Sequence, residues 1–410
     1  MKFAVIGLGG RGNIYAHFIR EYGHEIVAVC DTDEKRLQYA QEEYGVKPEN
    51  LYRDENEFFA GGKKADALVI ATLDTLHYRQ TMRALELDYD ILLEKPIAMT
   101  LQECEDIRDK AIERNRKVVI CHVLRYSPFY STVKKLLNQN AIGDIVSLTM
   151  TEEIGYYHFA HSYVRGNWRN TDISTPLILA KNCHDIDMIC WLIGEKCLSV
   201  SSVGGLKYFV KANAPEGATQ NCVDCPHKDT CKYSCFYIYN NAEYERVAGL
   251  AKHGRLGERK EEIDESLSDR TNLYGRCVFA CDNNVCDHQT VNMLFDNQIT
   301  AQFLSMAFTN EMPRLLKIYG TEGVLSRTDD GNVEIEKLNG EKELIKIDYP
   351  VGGYAHHAGG DVGIVKQFVD YVVEGIAGEN ITDIATSVMG HKIAFLADES
   401  RKENGKTYYL

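Results

Sequence analysis

The sequence lacks the features that would tie it to a membrane or to nucleic acid. No segment of its 410 residues reaches about 18 unbroken apolar residues, the usual requirement for a membrane span. Basic residues are also outnumbered, with 46 Lys and Arg against 60 Asp and Glu. The resulting net charge of −14 disfavours anionic membranes and nucleic acids as partners. We therefore expect a small molecule and a cofactor as the binding partners.

The N-terminus also lacks the pattern of a secretory signal. "MKFAVIGLGGRG" enters a strand pattern at once, without a long apolar region or a small-residue cleavage site, so we expect no signal peptide. Thirteen cysteines in such a chain indicate a reducing cytoplasm, where thiols are core residues, metal ligands or reactive groups. The length and the 44% hydrophobic content are typical of a globular protein with about two domains.

The first chemical motif is a glycine-rich turn. An apolar strand runs into Gly7, Gly9 and Gly12 in G-x-G-x-x-G spacing, and a helical pattern follows. The glycines permit a tight turn, a close approach of backbone to pyrophosphate and close helix packing, while the helix N-terminus attracts phosphates. The next strand ends at Asp31, 19 residues beyond Gly12, where a carboxylate can bind a ribose. This context predicts a dinucleotide site and favours NAD, although the nearby Arg36 keeps NADP possible.

Alternating strands and helices continue to about residue 125 and predict a doubly wound parallel sheet. Ligands of such sheets bind beyond the carboxyl ends of the strands. Several polar side chains are placed there, among them those of "ILLEKP" at residues 91–96. The cofactor-binding residues predicted in this region are Gly7, Gly9, Gly10, Arg11, Gly12, Asp31, Arg36, Thr72, His77, Glu94, Lys95 and His122.

Three motifs together resemble the glucose-fructose oxidoreductase, inositol dehydrogenase and rhizopine catabolism (Gfo/Idh/MocA) family of NAD(P)-dependent enzymes. They are the glycine-rich turn, "EKP" at Glu94 to Pro96, and "HDID" at His184 to Asp187 followed by "WLIG". The resemblance spans nearly the whole chain. It implies an α/β protein with a Rossmann domain and a C-terminal α+β domain built on an open, mainly antiparallel sheet. It also implies a sugar or cyclitol substrate, with Lys95 and His184 at the reacting group.

The predicted domain division follows from the patterns and the resemblance. A Rossmann dinucleotide-binding domain is expected at residues 1–125, and a domain for substrate binding and oligomerisation at 126–410. The C-terminal helices can pack back on the first domain, and we expect a homodimer or homotetramer. The resemblance further implies that Trp168 and Arg169 lie near the cofactor.

Oxidation of a carbinol requires a hydride acceptor, a base for the hydroxyl proton and a cation beside the developing alkoxide. His184 can be the base and Lys95 the electrostatic partner, although these roles can be exchanged. A core position for His184 is the alternative. We predict Lys95, His184 and Lys181 as the catalytic residues.

Lys181 marks a departure from the family pattern. Many members carry an aspartate four residues before the histidine, one helical turn away, but this chain has Ala180 there and Lys181 next to it. The flanking residues are apolar and predict a buried continuous helix, in which an unpaired lysine would be costly. Lys181 is therefore either an active-site residue or an exposed lysine.

The expected substrate pocket lies in the second domain. "GYYHFAHSYVRGNWRN" at residues 155–170 is rich in aromatic and hydrogen-bonding side chains, which suit sugar rings, although ordinary core packing is the alternative. A glycine-rich segment at 352–361 carries two further histidines. The predicted substrate residues are Lys95, Tyr156, His158, Lys181, His184 and His356.

A cysteine-rich insertion near residues 221–240 is the most individual feature of the chain. Cys222, Cys225, Cys231 and Cys235 are spaced C-x₂-C-x₅-C-x₃-C. Thiolates at such spacing can bind a structural zinc or an iron–sulfur cluster, and free or oxidisable thiols are the third possibility.

Three functions remain open from the sequence. The first is an NAD-dependent dehydrogenase acting on a carbinol of a sugar, cyclitol or glycoside. The second is an NAD-dependent glycosidase that oxidises a hydroxyl transiently, eliminates the aglycone and regenerates its cofactor. The third is a cofactor-binding protein without catalysis.

Overall fold

The computed structural model describes residues 1–241, 256, 259–310, 313–350 and 356–410. Its first sheet has six parallel strands in the order β3-β2-β1-β4-β5-β6. The strands are Lys2–Ile6 (β1), Glu25–Cys30 (β2), Leu51–Tyr52 (β3), Ala67–Ile70 (β4), Asp90–Leu93 (β5) and Val118–Ile120 (β6). The continuous apolar runs of β1, β4 and β5 are explained by this position, because both faces of a parallel sheet are covered.

The helices follow the strands in the alternating order that the sequence predicts. They are Gly10–Glu21 (α1), Glu34–Tyr44 (α2), Glu55–Ala60 (α3), Asp74–Glu86 (α4), Leu101–Glu113 (α5), Pro128–Asn138 (α6), Tyr156–Phe159 (α7), Leu177–Ala180 (α8), Cys183–Ile193 (α9), Cys235–Asn240 (α10), Lys260–Ser268 (α11), Gly360–Glu374 (α12) and Ile384–Lys402 (α13). Several begin at polar caps. Thr100, for example, closes a capping box with Glu103 at the start of α5.

Both faces of the first sheet are covered by helices, including the two C-terminal ones. Phe3 and Val5 of β1 lie in one core together with residues of α1 and α12. Ala4 and Ile6, which point to the opposite face, lie in a second core with residues of α4, α5 and α13. The doubly wound arrangement predicted for this region is therefore confirmed.

The second sheet has nine strands in the order β14-β13-β12-β11-β7-β10-β9-β8-β15. The strands are Ile145–Glu153 (β7), Cys197–Gly205 (β8), His288–Phe295 (β9), Thr300–Met306 (β10), Arg314–Gly320 (β11), Gly323–Arg327 (β12), Val333–Lys337 (β13), Lys342–Ile345 (β14) and Tyr408–Tyr409 (β15). Only the β7–β10 pair is parallel, which confirms the mainly antiparallel prediction for the described residues. Alternating residues of these strands face a core shared with α9 and α13.

The two sheets draw their strands from separate parts of the sequence, residues 2–120 for the first sheet and residues 145–409 for the second. Among the described residues, none of the helices combines the length and the apolar character needed to cross a membrane.

The helix predicted across Lys181 is interrupted, which corrects the expectation of a continuous helix. Helix α8 ends at Ala180, and α9 begins at Cys183. Asn182 leaves helical geometry, with φ −97° and ψ 5°, and its side-chain amide donates to Asp185 Oδ2 at 3.0 Å. Its side-chain oxygen makes no cap hydrogen bond to the first turn of α9 among the described contacts. The break therefore directs Lys181 away from the helical position expected from its spacing to His184.

Candidate functional site

The glycine-rich turn between β1 and α1 fits a dinucleotide phosphate. Gly7 has φ +85°, and a side chain there would lie 2.7 Å from the carbonyl oxygen of Ala71. A side chain on Gly12 would overlap the carbonyl oxygen of Gly7. Gly9 precedes α1 and supplies no side-chain cap, so the backbone N–H groups of the first helical turn can face an anion.

Gly12 and Gly10 offer a matched pair of substitutions in this turn. Gly12→Ala is expected to weaken NAD binding by about tenfold or more, because the new methyl group must displace the turn. Gly10→Ala meets no atom within 4 Å, so its affinity should stay within about twofold of wild type. Fluorescence titration with NADH measures both. Equal affinities in the two variants would contradict this description of the turn.

Asp31 follows β2 directly and is buried beside the glycine-rich turn. Its carboxylate accepts hydrogen bonds from the backbone N–H of Leu8 at 2.7 Å and of Asp33 at 2.9 Å. The guanidinium of Arg36 lies 3.2 Å from Asp31 Oδ2 and also faces Gly9. The structure thus brings a carboxylate and a guanidinium group together where the ribose of a dinucleotide is expected.

Arg11 points inward and joins the motif "EKP" to the start of α12. Its Nε donates to Glu94 Oε1 at 2.8 Å, and its Nη1 and Nη2 donate to the two carboxylate oxygens of Asp361 at 3.0 and 2.6 Å. Tyr15 also donates to Glu94, at 2.5 Å. Burial raises the pKa of Glu94, but the charges of Arg11 and Lys95 outweigh it and hold the pKa below its usual value. The carboxylate is therefore ionised, and its Oε2 accepts a hydrogen bond from the backbone N–H of Lys95 at 3.0 Å.

Lys95 meets the second domain at the predicted catalytic histidine. Its Nζ donates to the carbonyl oxygen of Ala180 at 2.8 Å, just before the segment that leads into α9. His184 is buried, and its ring lies 5.5 Å from the ring of His122, which follows β6. Burial and the charge of Lys95 place the pKa of His184 well below its ordinary value. Since a neutral imidazole accepts protons, the pair can serve as a base and an adjacent cation.

His122 is held neutral in the same pocket. Its ring lies between those of His184 and His391, at 5.5 Å from each. Burial lowers the pKa of His122 to about 4. Neither of its ring nitrogens, nor Nδ1 of His184, has a hydrogen-bond partner among the described residues. Buried polar atoms of this kind are costly unless a ligand or water binds them, which favours a polar ligand at this position.

Lys181 is buried and paired, so the exposed alternative is wrong. Its Nζ lies 2.8 Å from Oε1 of Glu152, which is the penultimate residue of β7. Arg314 on β11 bridges the other oxygen of Glu152 at 2.8 Å and Asp185 at 2.7 Å. Two cations and two acids thus form one buried cluster beside His184. Mutual pairing of this kind makes burial of the four charges possible.

Sequence reasoning missed Glu152, Arg314 and Asp185 as members of this cluster. One signal was present for Glu152. It continues the inward-facing series Leu148 and Met150 of β7, so an acid was placed where the period-two pattern requires an apolar residue. Arg314, by contrast, lies at the start of a distant strand, and its pairing follows only from the β7–β11 register.

Two predicted cofactor residues stabilise the loops around the site. His77 Nδ1 lies 2.7 Å from the carbonyl oxygen of Pro96, and its Nε2 lies 3.2 Å from that of Thr72. Thr72 Oγ1 donates to Gln80 at 2.7 Å. His77 therefore links the loop after β4 to the loop after β5, and its described contacts are with the protein backbone.

The predicted aromatic pocket wall is largely built into a core of the second domain. The ring of Tyr156 lies 5.7 Å from that of Tyr233, and the ring of His158 lies 6.1 Å from that of Tyr163. Trp168 packs near Tyr163 at 6.3 Å.

Arg169 and His356 complete the set of predicted site residues. Arg169 forms a two-pronged ion pair with Asp282, at 2.7 and 3.0 Å. Among the described contacts, none joins Trp168 or Arg169 to the glycine-rich turn. The side chain of His356 lies outside the described part of the structure.

Among the described residues, the cysteine-rich insertion forms no metal site, although a zinc site was one of the three possibilities that its spacing left open. Across the described ranges, which include all four cysteines, no three His, Cys, Asp or Glu side chains are placed to hold a metal ion. Cys222 Sγ lies 3.8 Å from a guanidinium nitrogen of the buried Arg165, and all thirteen cysteines are free thiols. A hydrogen bond from Cys235 and the charge of Arg165 lower the pKa of Cys222 to about 5, against the effect of burial. A fixed cation beside this thiolate opposes a metal cation there.

Comparison with known proteins assigns both parts of the chain. Residues 1–122 match the model of an oxidoreductase family with an NAD-binding Rossmann fold (GFO_IDH_MocA). Residues 134–352 match the C-terminal α/β domain of the same family. YteT of Bacillus subtilis (strain 168), named as an oxidoreductase, is 23% identical over 82% of this chain and 80% of its own length.

Other relatives bear more specific names. The inositol 2-dehydrogenase of Rubrobacter xylanophilus is 28% identical, over 47% of this chain and 52% of its own length, so the chain matches about half of that enzyme. An inositol dehydrogenase homologue from Azotobacter vinelandii, solved with NADH and myo-inositol, superposes with a TM-score of 0.70 at 15% identity, covering 100% of this chain and 97% of its own. At 15% identity, this similarity shows that the two proteins share a fold.

Proposed function

Since the chain belongs to the Gfo/Idh/MocA family of NAD-binding oxidoreductases, we propose that it transfers a hydride between nicotinamide and a carbinol of a sugar or cyclitol. One observation carries the proposal: the ammonium group of Lys95 lies within hydrogen-bond distance of the segment that positions the neutral, buried His184. A hydrogen-bonding imidazole and a cation at one point suit a carbinol oxygen that gains negative charge during oxidation.

The residues of the chain have different roles in this reaction. NAD, when bound at the glycine-rich turn, supplies the hydride acceptor. The neutral imidazole of His184 forms a hydrogen bond with the oxygen of the reacting hydroxyl, and Lys95 stabilises the negative charge that develops on that oxygen. Lys181 stays in the site through its pair with Glu152 and contacts a neighbouring substrate oxygen. His122, whose two ring nitrogens have no hydrogen-bond partner among the described residues, faces the same ligand.

A substrate screen tests the proposal. Purified protein is incubated with NAD⁺ and myo-inositol, D-glucose, D-galactose, D-xylose or an aryl glycoside, and absorbance of NADH is followed. We expect net NADH formation with at least one polyol. Protein that binds NAD⁺ but reduces none of it with any polyol would be evidence against a dehydrogenase.

The same screen separates the glycosidase alternative. One relative, from Escherichia coli (strain K12), is named 2,7-anhydro-N-acetylneuraminate hydratase, and it is 22% identical over 50% of this chain and 53% of its own length. Transient oxidation with recycled NAD would release the aglycone of an aryl glycoside without net NADH. The absorbance of NADH and that of the released aglycone are therefore both read in each assay.

Asp31 provides a test of the cofactor preference. We propose that it selects NAD, because its charge would repel the 2′-phosphate of NADP. Asp31→Ser removes that charge and leaves Arg36 without its partner, so the ratio of NAD to NADP affinity is expected to fall by about tenfold or more. Arg36→Ala is the matched control and should not improve NADP binding. An unchanged ratio in Asp31→Ser would contradict the assignment.

A further inference from the structure

The segment before α12 carries a histidine that the proposed mechanism does not yet use. His357 Nδ1 lies 3.1 Å from Asp361 Oδ2, one helical turn onward. Its ring lies 6.2 Å from the ring of His184, and about a quarter of its side chain (24%) is exposed. His357 thus lies beside His184, and part of its side chain is exposed.

Asp361 is fixed before any ligand binds. It is fully buried and receives the two-pronged ion pair from Arg11 in the glycine-rich turn. Burial raises its pKa, but the charges of His357 and Arg11 outweigh this effect and hold the pKa below the usual range. An ionised carboxylate at 3.1 Å orients an imidazole by accepting its Nδ1–H, as in other His–Asp pairs.

The charges around the two histidines differ. His357 faces Arg11 at 3.4 Å, Asp361, and through Arg11 the carboxylate of Glu94, which together carry one net negative charge. A proton on His357 would cancel the net negative charge of Arg11, Asp361 and Glu94.

His184 has the opposite environment. The cluster beside it contains Lys181, Arg314, Glu152 and Asp185, which balance, and Lys95 adds one positive charge. A proton on His184 would therefore add charge of the same sign in a fully buried position. Such a proton is poorly stabilised.

We propose that His357, held by Asp361, is the residue that takes up the proton released when the carbinol is oxidised. The proposal rests on the proposed function and refines it. The hydride leaves carbon for the nicotinamide, and the hydroxyl proton passes to Nε2 of His357. The products are a ketone, the reduced cofactor and an imidazolium paired with Asp361. His184 remains a hydrogen-bonding group, so the pocket has two histidines with separate tasks.

Histidine titration tests the pair without requiring turnover. The protein labelled with ¹⁵N-histidine is titrated by NMR as wild type, His357→Gln and Asp361→Asn, each with NAD⁺ bound. We expect the resonance lost in His357→Gln to report an Nδ1–H tautomer and to titrate at lower pH in Asp361→Asn. A resonance that Asp361→Asn leaves unchanged would overturn the pair.

Kinetics then test the role. With the polyol that wild type oxidises fastest, His357→Ala and His357→Gln are expected to lower kcat by about 10²-fold while KM changes little. Added imidazole should restore part of the activity of His357→Ala alone. His227→Ala, in an exposed loop where the ring contacts the Glu216 carbonyl, is the matched control and should be unchanged. If both His357 variants keep the kcat of the wild-type protein, the proposed role of His357 is contradicted. If the wild-type protein oxidises no polyol, the proposed function is contradicted, and the titration alone decides whether His357 and Asp361 form a pair.

Discussion

Replacement of Lys95 by alanine is expected to lower kcat by about 10²–10³-fold, the cost of removing one preorganised donor from a developing oxyanion. The ammonium group of Lys95 lies 2.8 Å from the carbonyl oxygen of Ala180. The preceding residue, Glu94, is anchored by hydrogen bonds from Arg11 and Tyr15, and this holds the backbone of Lys95 in place. No other cation of the described residues occupies this place, since Lys181 and Arg314 are paired with acids.

The measurement for Lys95→Ala separates binding from catalysis. Steady-state kinetics with the best polyol of the screen gives kcat, and NADH fluorescence gives cofactor affinity, which should stay within about threefold of wild type. Lys366→Ala, at an exposed position on α12, is the control for the same chemical change. A kcat for Lys95→Ala equal to that of the control would remove Lys95 from the mechanism.

Asp187→Asn is expected to destabilise the protein by about 3–5 kcal/mol, the usual result of breaking one buried ion pair. Asp187 on α9 accepts two hydrogen bonds from Arg125, at 2.8 and 2.6 Å, and both side chains are almost fully buried. Asparagine keeps the shape but leaves the guanidinium without an opposite charge. The pair also joins the turn after β6 to α9, so its loss affects the position of His184.

Urea denaturation followed by circular dichroism measures this effect. The matched control is Asp370→Asn in the exposed pair with Lys366, where little change in the free energy of unfolding is expected because solvent screens the pair. Burial raises the pKa of Asp187, but Arg125 outweighs it and lowers the pKa. The contribution of the pair is therefore complete above the unfolded-state pKa of about 4 and is lost as the pH falls through the lowered folded value. Equal midpoints for the two variants would contradict a stabilising role.

The first sheet could be predicted because its signals are local. Each strand is an apolar run, each helix follows within a few residues, and the carboxyl ends of parallel strands meet at one edge. This rule correctly placed Glu94 and Lys95 directly after β5, and His122 after β6. The glycine spacing likewise depends on a single turn.

The rest of the site depends on pairings between distant parts of the chain. Arg11 was predicted to bind the cofactor, but its described partners, Glu94 and Asp361, lie 83 and 350 residues away. Lys181 pairs with Glu152 at the break between α8 and α9, and the apolar pattern of that segment does not indicate the break. Composition and spacing carry no information on such contacts.

The cysteine-rich insertion shows a different limit. Spacing alone permits zinc, but it cannot reveal that Arg165, 57 residues before Cys222, is buried against that thiol. The free-thiol alternative agrees with the structure.

Transfer of deuterium is the most direct test of the central claim. Wild-type protein and Lys95→Ala are each incubated with NAD⁺ and a pool of carbon-deuterated cyclitols and monosaccharides, and the cofactor is analysed by mass spectrometry. We expect reduced cofactor that carries one deuterium with wild type and almost none with Lys95→Ala. Wild-type protein that binds NAD⁺ and yields no deuterated cofactor from the pool would contradict it.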